Sequence, residues 1–152
     1  MSDPVALVDG YLQRCEDRAI DEAAAALSPA FRIQVPGGVE FRSLAELVAA
    51  PKGYAWVRKH RDRYAVGTDG SRTVVTSIGR LYGELLDGTP FENIRYADVF
   101  VLADGLIAEQ IVWNDLSEAG IHPPAHSTSP ADTDASDLHA TSRPRPHESR
   151  NP

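Results

Sequence analysis

A chain of 152 residues, 42% of them hydrophobic, is long enough to bury one core and fits a single domain. Its formal net charge of −7 leaves no basic excess to neutralise phosphates, which argues against a nucleic-acid partner. One cysteine, Cys15, excludes an internal disulfide and a thiolate metal cluster, and no apolar run approaches the roughly 20 residues needed to cross a bilayer.

The opening MSDPVALVDG has neither a basic n-region nor an apolar h-region, so no signal peptide, no membrane contact and a cytoplasmic location are expected. Residues 4–27 are predicted helical: Val5, Leu7, Val8, Tyr11, Leu12 and Cys15 recur at helical spacing, and AIDEAAAAL has high helix propensity. Ser28-Pro29 breaks that pattern. FRIQVP then alternates as a short strand, with Phe31, Ile33 and Val35 on one face, and Pro36-Gly37-Gly38 closes it. Ser43 followed by Glu46 matches a capping box at the start of a short helix, SLAELVAA. A further helix is predicted over roughly 54–62, carrying Tyr54, Trp56, Val57 and His60. From Tyr64 onward strands alternate with Asp-Gly pairs at 69–70, 87–88 and 104–105, dipeptides that tolerate the positive φ of hairpin turns.

Composition changes after Ile121. Residues 122–152 hold six of the eleven prolines, and Leu138 is their only large apolar residue, so the domain is expected to end at 121 and a disordered tail to follow. His122, His126, His139 and His147 fall in that tail at spacings that match no compact ligand set, and no metal site is expected. His60 is then the only histidine of the folded part.

The expected layout is α+β: N-terminal helices feeding a meandering antiparallel sheet. Within RYADVFVLADGLIAEQ, Tyr96, Asp98, Phe100 and Leu102 share one strand face, so a carboxylate stands in an apolar row. In LIAEQIVWND, Ile107, Ile111 and Trp113 are expected to point one way, with Leu106, Ala108, Gln110, Val112 and Asn114 on the other side. A sheet apolar on both faces needs cover on both; helices supply one side, and a second subunit is expected on the other, giving a homodimer.

The order of elements and the stretch GELLDGTPFENIRYADVFVLADGLIAEQIVWND resemble the nuclear transport factor 2-like superfamily of cone-shaped barrels, in which a curved antiparallel sheet wraps around N-terminal helices. The likeness covers about residues 5–118 and is nearest the SnoaL-like polyketide cyclase and ketosteroid isomerase branches. It implies that Asp98 is the acid of the penultimate strand and that Tyr11 matches the oxyanion-hole tyrosine of the first helix. The isomerase base would fall at Val35, the cyclase histidine near Leu81, and the epoxide-hydrolase aspartate near Val112. None of the three carries the required side chain.

A carboxyl facing an apolar cavity has its charged form disfavoured and can stay neutral to donate a hydrogen bond to an oxyanion, the role the ketosteroid isomerases illustrate. Asp98 is expected in that role, with Tyr11 as second donor and His60 as a candidate base. The structural rival is an ion pair of Asp98 with Arg80 or Arg95. Gln110 and Asn114 are expected to hydrogen-bond a ligand, and Phe31, Val35, Trp56, Phe100 and Val112 to wall the cavity. Such a cavity would take a small apolar or polycyclic ligand without a cofactor. Three readings stay open: an enzyme that enolises, isomerises or cyclises a ketone; a non-catalytic binding module; and an epoxide hydrolase or dehydratase.

Overall fold

The structure is a computed structural model and describes residues 3–124. The chain begins with α1 (Pro4–Glu16), which Asp3 caps by accepting the Val5 backbone N–H at 2.9 Å, with Pro4 in the first turn. The single long helix predicted over 4–27 is two: Arg18 takes a positive φ of 60°, and α2 (Ile20–Ala24) restarts after it. β1 (Leu27–Val35) and β2 (Val39–Phe41) form a hairpin around Gly37 and Gly38. α3 (Leu44–Ala49) starts at Ser43, whose hydroxyl accepts the Glu46 N–H, while the Glu46 carboxylate reaches back to the Arg42 N–H. The capping box is formed one residue wide of its usual return bond.

The helix predicted over 54–62 is instead the start of β3 (Tyr54–Asp69), a strand of 16 residues. β4 (Arg72–Leu85), β5 (Pro90–Ala103) and β6 (Leu106–Asn114) follow, and each Asp-Gly pair lies at a hairpin turn, as its chemistry requires. The six strands lie in the order β2-β1-β6-β5-β4-β3. The last four form the expected antiparallel meander, but β1 joins it parallel to β6, pairing Ile33 with Gln110.

The misread of β3 has a physical cause. RKHRDR reads as a solvated helical surface because its inward residues are charged. In the strand, Lys59 and Arg61 turn inward and find acids on α1. The Arg61 guanidinium meets Asp9 at 2.8 Å and Glu16 at 3.1 Å, and the Lys59 backbone N–H donates to Glu16 at 2.8 Å. Tyr64 adds a bond to Asp9 at 2.6 Å. This network holds α1 across the concave face of the sheet.

The core lies between the helices and that concave face, with Val8, Tyr11, Leu12, Phe31, Ile33, Val75, Phe100, Leu102 and Ile107 buried. Ile107 departs from the expected alternation: a bulge at Ala108 puts Ile107 on the inner side with Gln110, while Trp113 stays outside and 61% exposed. Residues 122–124 are described and pack beside Gly53, whose missing side chain leaves room for the His122 backbone. The rest of the expected tail, with His126, His139 and His147, lies outside the described residues. Among the described residues no helix is long and apolar enough to cross a membrane.

Candidate functional site

The concave face closes over a cavity of about 680 Å³. β1 and β2 contribute Ile33, Val35 and Phe41; α3 contributes Leu47; β4 to β6 contribute Leu81, Tyr96, Asp98, Gln110, Val112 and Asn114. Leu116, Ile121, Pro123 and Pro124 border it from the segment after β6. The wall is mainly apolar with a few convergent polar groups, the usual make-up of a small-molecule site.

Asp98 lines this cavity at 1% exposure, as the period-two reading of its strand requires. Ser77 and Val112 flank it in register. Neither Arg80 nor Arg95 reaches it: Arg80 pairs with Asp62 at 3.0 Å, and Arg95 pairs with Asp115. The neighbouring charge is the ammonium of Lys59, 3.7 Å from Oδ2. That separation allows electrostatic attraction but exceeds hydrogen-bond range, and among the described residues both carboxyl oxygens lack a hydrogen-bond partner. Burial pushes the Asp98 pKa above the ordinary carboxylate range, and the Lys59 charge opposes that shift without cancelling it. An unpaired buried carboxyl costs stability unless something else meets it.

Lys59 lines the cavity too, and the sequence pattern does not mark it. In the predicted helix its neighbour His60 was the residue of interest; in the strand the two point to opposite faces. Lys59 pairs in register with buried Leu81 and lies 5.3 Å over the Tyr96 ring. His60 is exposed on the outer face and stacks on Tyr82, with ring centroids 4.3 Å apart. Trp56 shares that outer face and also packs on Tyr82, so neither His60 nor Trp56 lines the cavity.

Tyr11 is fully buried, and its hydroxyl donates to Gln110 Oε1 at 2.9 Å. Burial pushes its pKa well up, so it remains a hydroxyl. Tyr11 and Asp98 are therefore not two donors aimed at one point. Tyr11 instead holds the oxygen of the Gln110 amide, and Gln110 itself lines the cavity. Phe100 and Phe31 lie in the core behind the wall, Phe100 edge-on to Tyr11 at 5.9 Å. Val35, Gln110, Val112 and Asn114 line the cavity as expected; the Asn114 side-chain oxygen also accepts the Leu116 N–H at 3.2 Å. Tyr96, noted from sequence only as a face-mate of Asp98, lines the cavity too. Its hydroxyl bonds to Ser77 at 2.9 Å, and burial pushes its pKa up to about 12.

No family model matches the sequence, and no curated protein matches it either. Solved structures do match. A nuclear transport factor 2-like protein of unknown function from Burkholderia pseudomallei aligns at 20% identity and TM-score 0.63, over 78% of this chain and 95% of that one. TerC, crystallised with polyporic acid, aligns at 16% identity and TM-score 0.60, over 76% and 94%. A protein of Jannaschia named as SnoaL-like polyketide cyclase aligns at 19% identity and TM-score 0.53, over 79% and 94%. With its six-stranded curved sheet and N-terminal helices, the chain has the nuclear transport factor 2-like fold.

Proposed function

We propose that the chain is a cofactor-independent enzyme that enolises a ketone held in the concave cavity, with Asp98 as its acid. The observation that carries this reading is the buried Asp98 carboxyl, with both oxygens unpartnered among the described residues, facing an apolar cavity beside the Lys59 ammonium. The same-fold neighbours described as SnoaL-like or crystallised with polyporic acid support a small organic ligand.

Asp98 in its protonated form donates a hydrogen bond to the carbonyl oxygen while water admitted to the cavity takes the proton from the carbon next to the carbonyl. One C–H bond breaks, one O–H bond forms on the water, and the enolate oxygen left behind is held by the Asp98 O–H and by the Lys59 charge. Returning that proton to a different carbon isomerises the substrate and restores the site. The Gln110 amide is the second donor to the oxygen, held by Tyr11. The Lys59 ammonium brings positive charge to the same part of the wall: its cross-strand partner is Leu81, near where the cyclase histidine would fall.

The test is proton exchange in D2O over a panel of cyclic and aryl ketones, followed by NMR. Wild type should exchange the α-protons of at least one ligand. Asp98→Asn and Lys59→Met should each slow that exchange by about 10²–10³, the usual worth of one group that stabilises a developing oxyanion. Exchange at the wild-type rate in both variants would sink the reading. The proposal includes a homodimer formed through the outer face of the sheet.

A further inference from the structure

A second hollow, of about 640 Å³, opens at the β3 edge, between the helix-side residues Val57 and Lys59 and the outer-face residues Trp56, Arg58 and Tyr82. The chemistry above does not use it. Its walls come from the end of α1, the turn at Arg18, α3 and the first residues of β3. Leu47, Lys52, Tyr54, Val57 and Lys59 line both this hollow and the cavity of Asp98, so the two spaces adjoin across those side chains.

Its charge is opposite to that of the whole molecule. The chain carries −7, yet the hollow gathers Arg18, Lys52, Arg58 and Lys59 against one acid, Glu16. Glu16 is already engaged by the Lys59 backbone N–H and the Arg61 guanidinium. Among the described residues, Arg18 and Arg58 have no acidic partner within 4.0 Å.

These cations are placed by the backbone. Arg18 holds a left-handed conformation, fixed by its N–H to the Cys15 carbonyl at 3.2 Å and by the Ala19 N–H to the Arg14 carbonyl at 2.9 Å. The Lys52 ammonium is tied to the Leu47 and Ala50 carbonyls at the end of α3, at 2.7 and 2.8 Å. Arg18 and Lys52 line the same hollow, and burial, then the Arg18 charge, lower the Lys52 pKa. Holding like charges together costs energy that a bound anion would recover. Trp56 and Tyr82 add aromatic wall, with the Arg58 guanidinium 6.0 Å from the Trp56 ring.

We infer that this hollow binds an anionic group carried on the same molecule as the ketone, so that the substrate is an amphipathic ketone bearing a carboxylate, phosphate or similar charge. The inference rests on the proposed function only for the word ketone; the anion site stands on its own geometry. Lys59, between the two spaces, then faces the reacting carbonyl while Arg18 and Arg58 hold the charged end.

Two fluorescent probes with the same ring body test this on the full chain: the anionic 8-anilinonaphthalene-1-sulfonate and the neutral N-phenyl-1-naphthylamine. Arg18→Gln with Arg58→Gln should weaken the anionic probe about tenfold and leave the neutral one unchanged, as expected for the loss of charge-assisted contacts. Raised salt should reproduce that selective loss in wild type. Unchanged affinity for the anionic probe in the double variant, or equal loss of both probes, would overturn the inference and leave the ketone reading intact. Binding of neither probe by wild type would count against the hollow and the cavity together.

Discussion

At the scale of single residues, Asp98 is where stability and chemistry conflict. A carboxyl whose folded-state pKa is raised binds its proton more tightly in the fold than in the unfolded chain. Its contribution to stability is therefore fully present below the ordinary carboxylate value near about 3.9 and is lost as pH rises through the folded value. Asp98→Asn removes that loss. The variant should melt above wild type near neutral pH, by roughly 4 °C for each 1 kcal/mol recovered, and the gain should vanish towards about pH 4. Calorimetry across that range checks it; a variant less stable than wild type at neutral pH would show that the charged carboxylate holds the fold. Asp98 was legible because a strand's period of two marks a lone acid in an apolar row. Lys59 was not, because its inward direction depends on β3 being a strand, and one residue's shift of attention, to His60, selects the opposite face.

At the scale of elements, β3 and β4 are shaped by two close approaches. A Cβ on Gly79 would overlap the His60 carbonyl oxygen, and one on Gly83 the Trp56 carbonyl oxygen, both beside register shifts in the β3–β4 pairing. These irregularities let a long edge strand bend around the helices while Lys59 still faces in. Gly79→Ala should cost about 1–3 kcal/mol by overpacking, read as a lower urea midpoint. Gly67→Ala, in the same sheet with open space at its Cβ, should be close to neutral. Equal effects at the two positions would show that the approach at Gly79 is not what shapes the sheet. The turns and the α3 cap were readable from short motifs because those contacts are local. The strand β3 and the bulge at Ala108 were not, since both are settled by partners distant in sequence: Asp9 and Glu16 on α1 for the first, β5 for the second.

At the scale of the whole molecule, the sheet buries one face under helices and leaves Val99, Val101 and Ile111 half-buried and Trp113 exposed on the other. The proposed homodimer covers this outer face. Sedimentation velocity should then give about twice the 16.5 kDa chain mass, and Trp113→Glu should shift it to monomer. A monomeric wild type, or a Trp113→Glu dimer, would remove that part of the proposal. The concave side carries the central claim, that the fold holds Asp98 as a proton carrier whose burial outweighs the Lys59 charge. A ¹³C NMR titration of the Asp98 carboxyl, in wild type and in Lys59→Met, tests it most directly. The account predicts a midpoint above the ordinary carboxylate range in wild type and a higher one without Lys59; a wild-type midpoint at or below about 3.9 would contradict it.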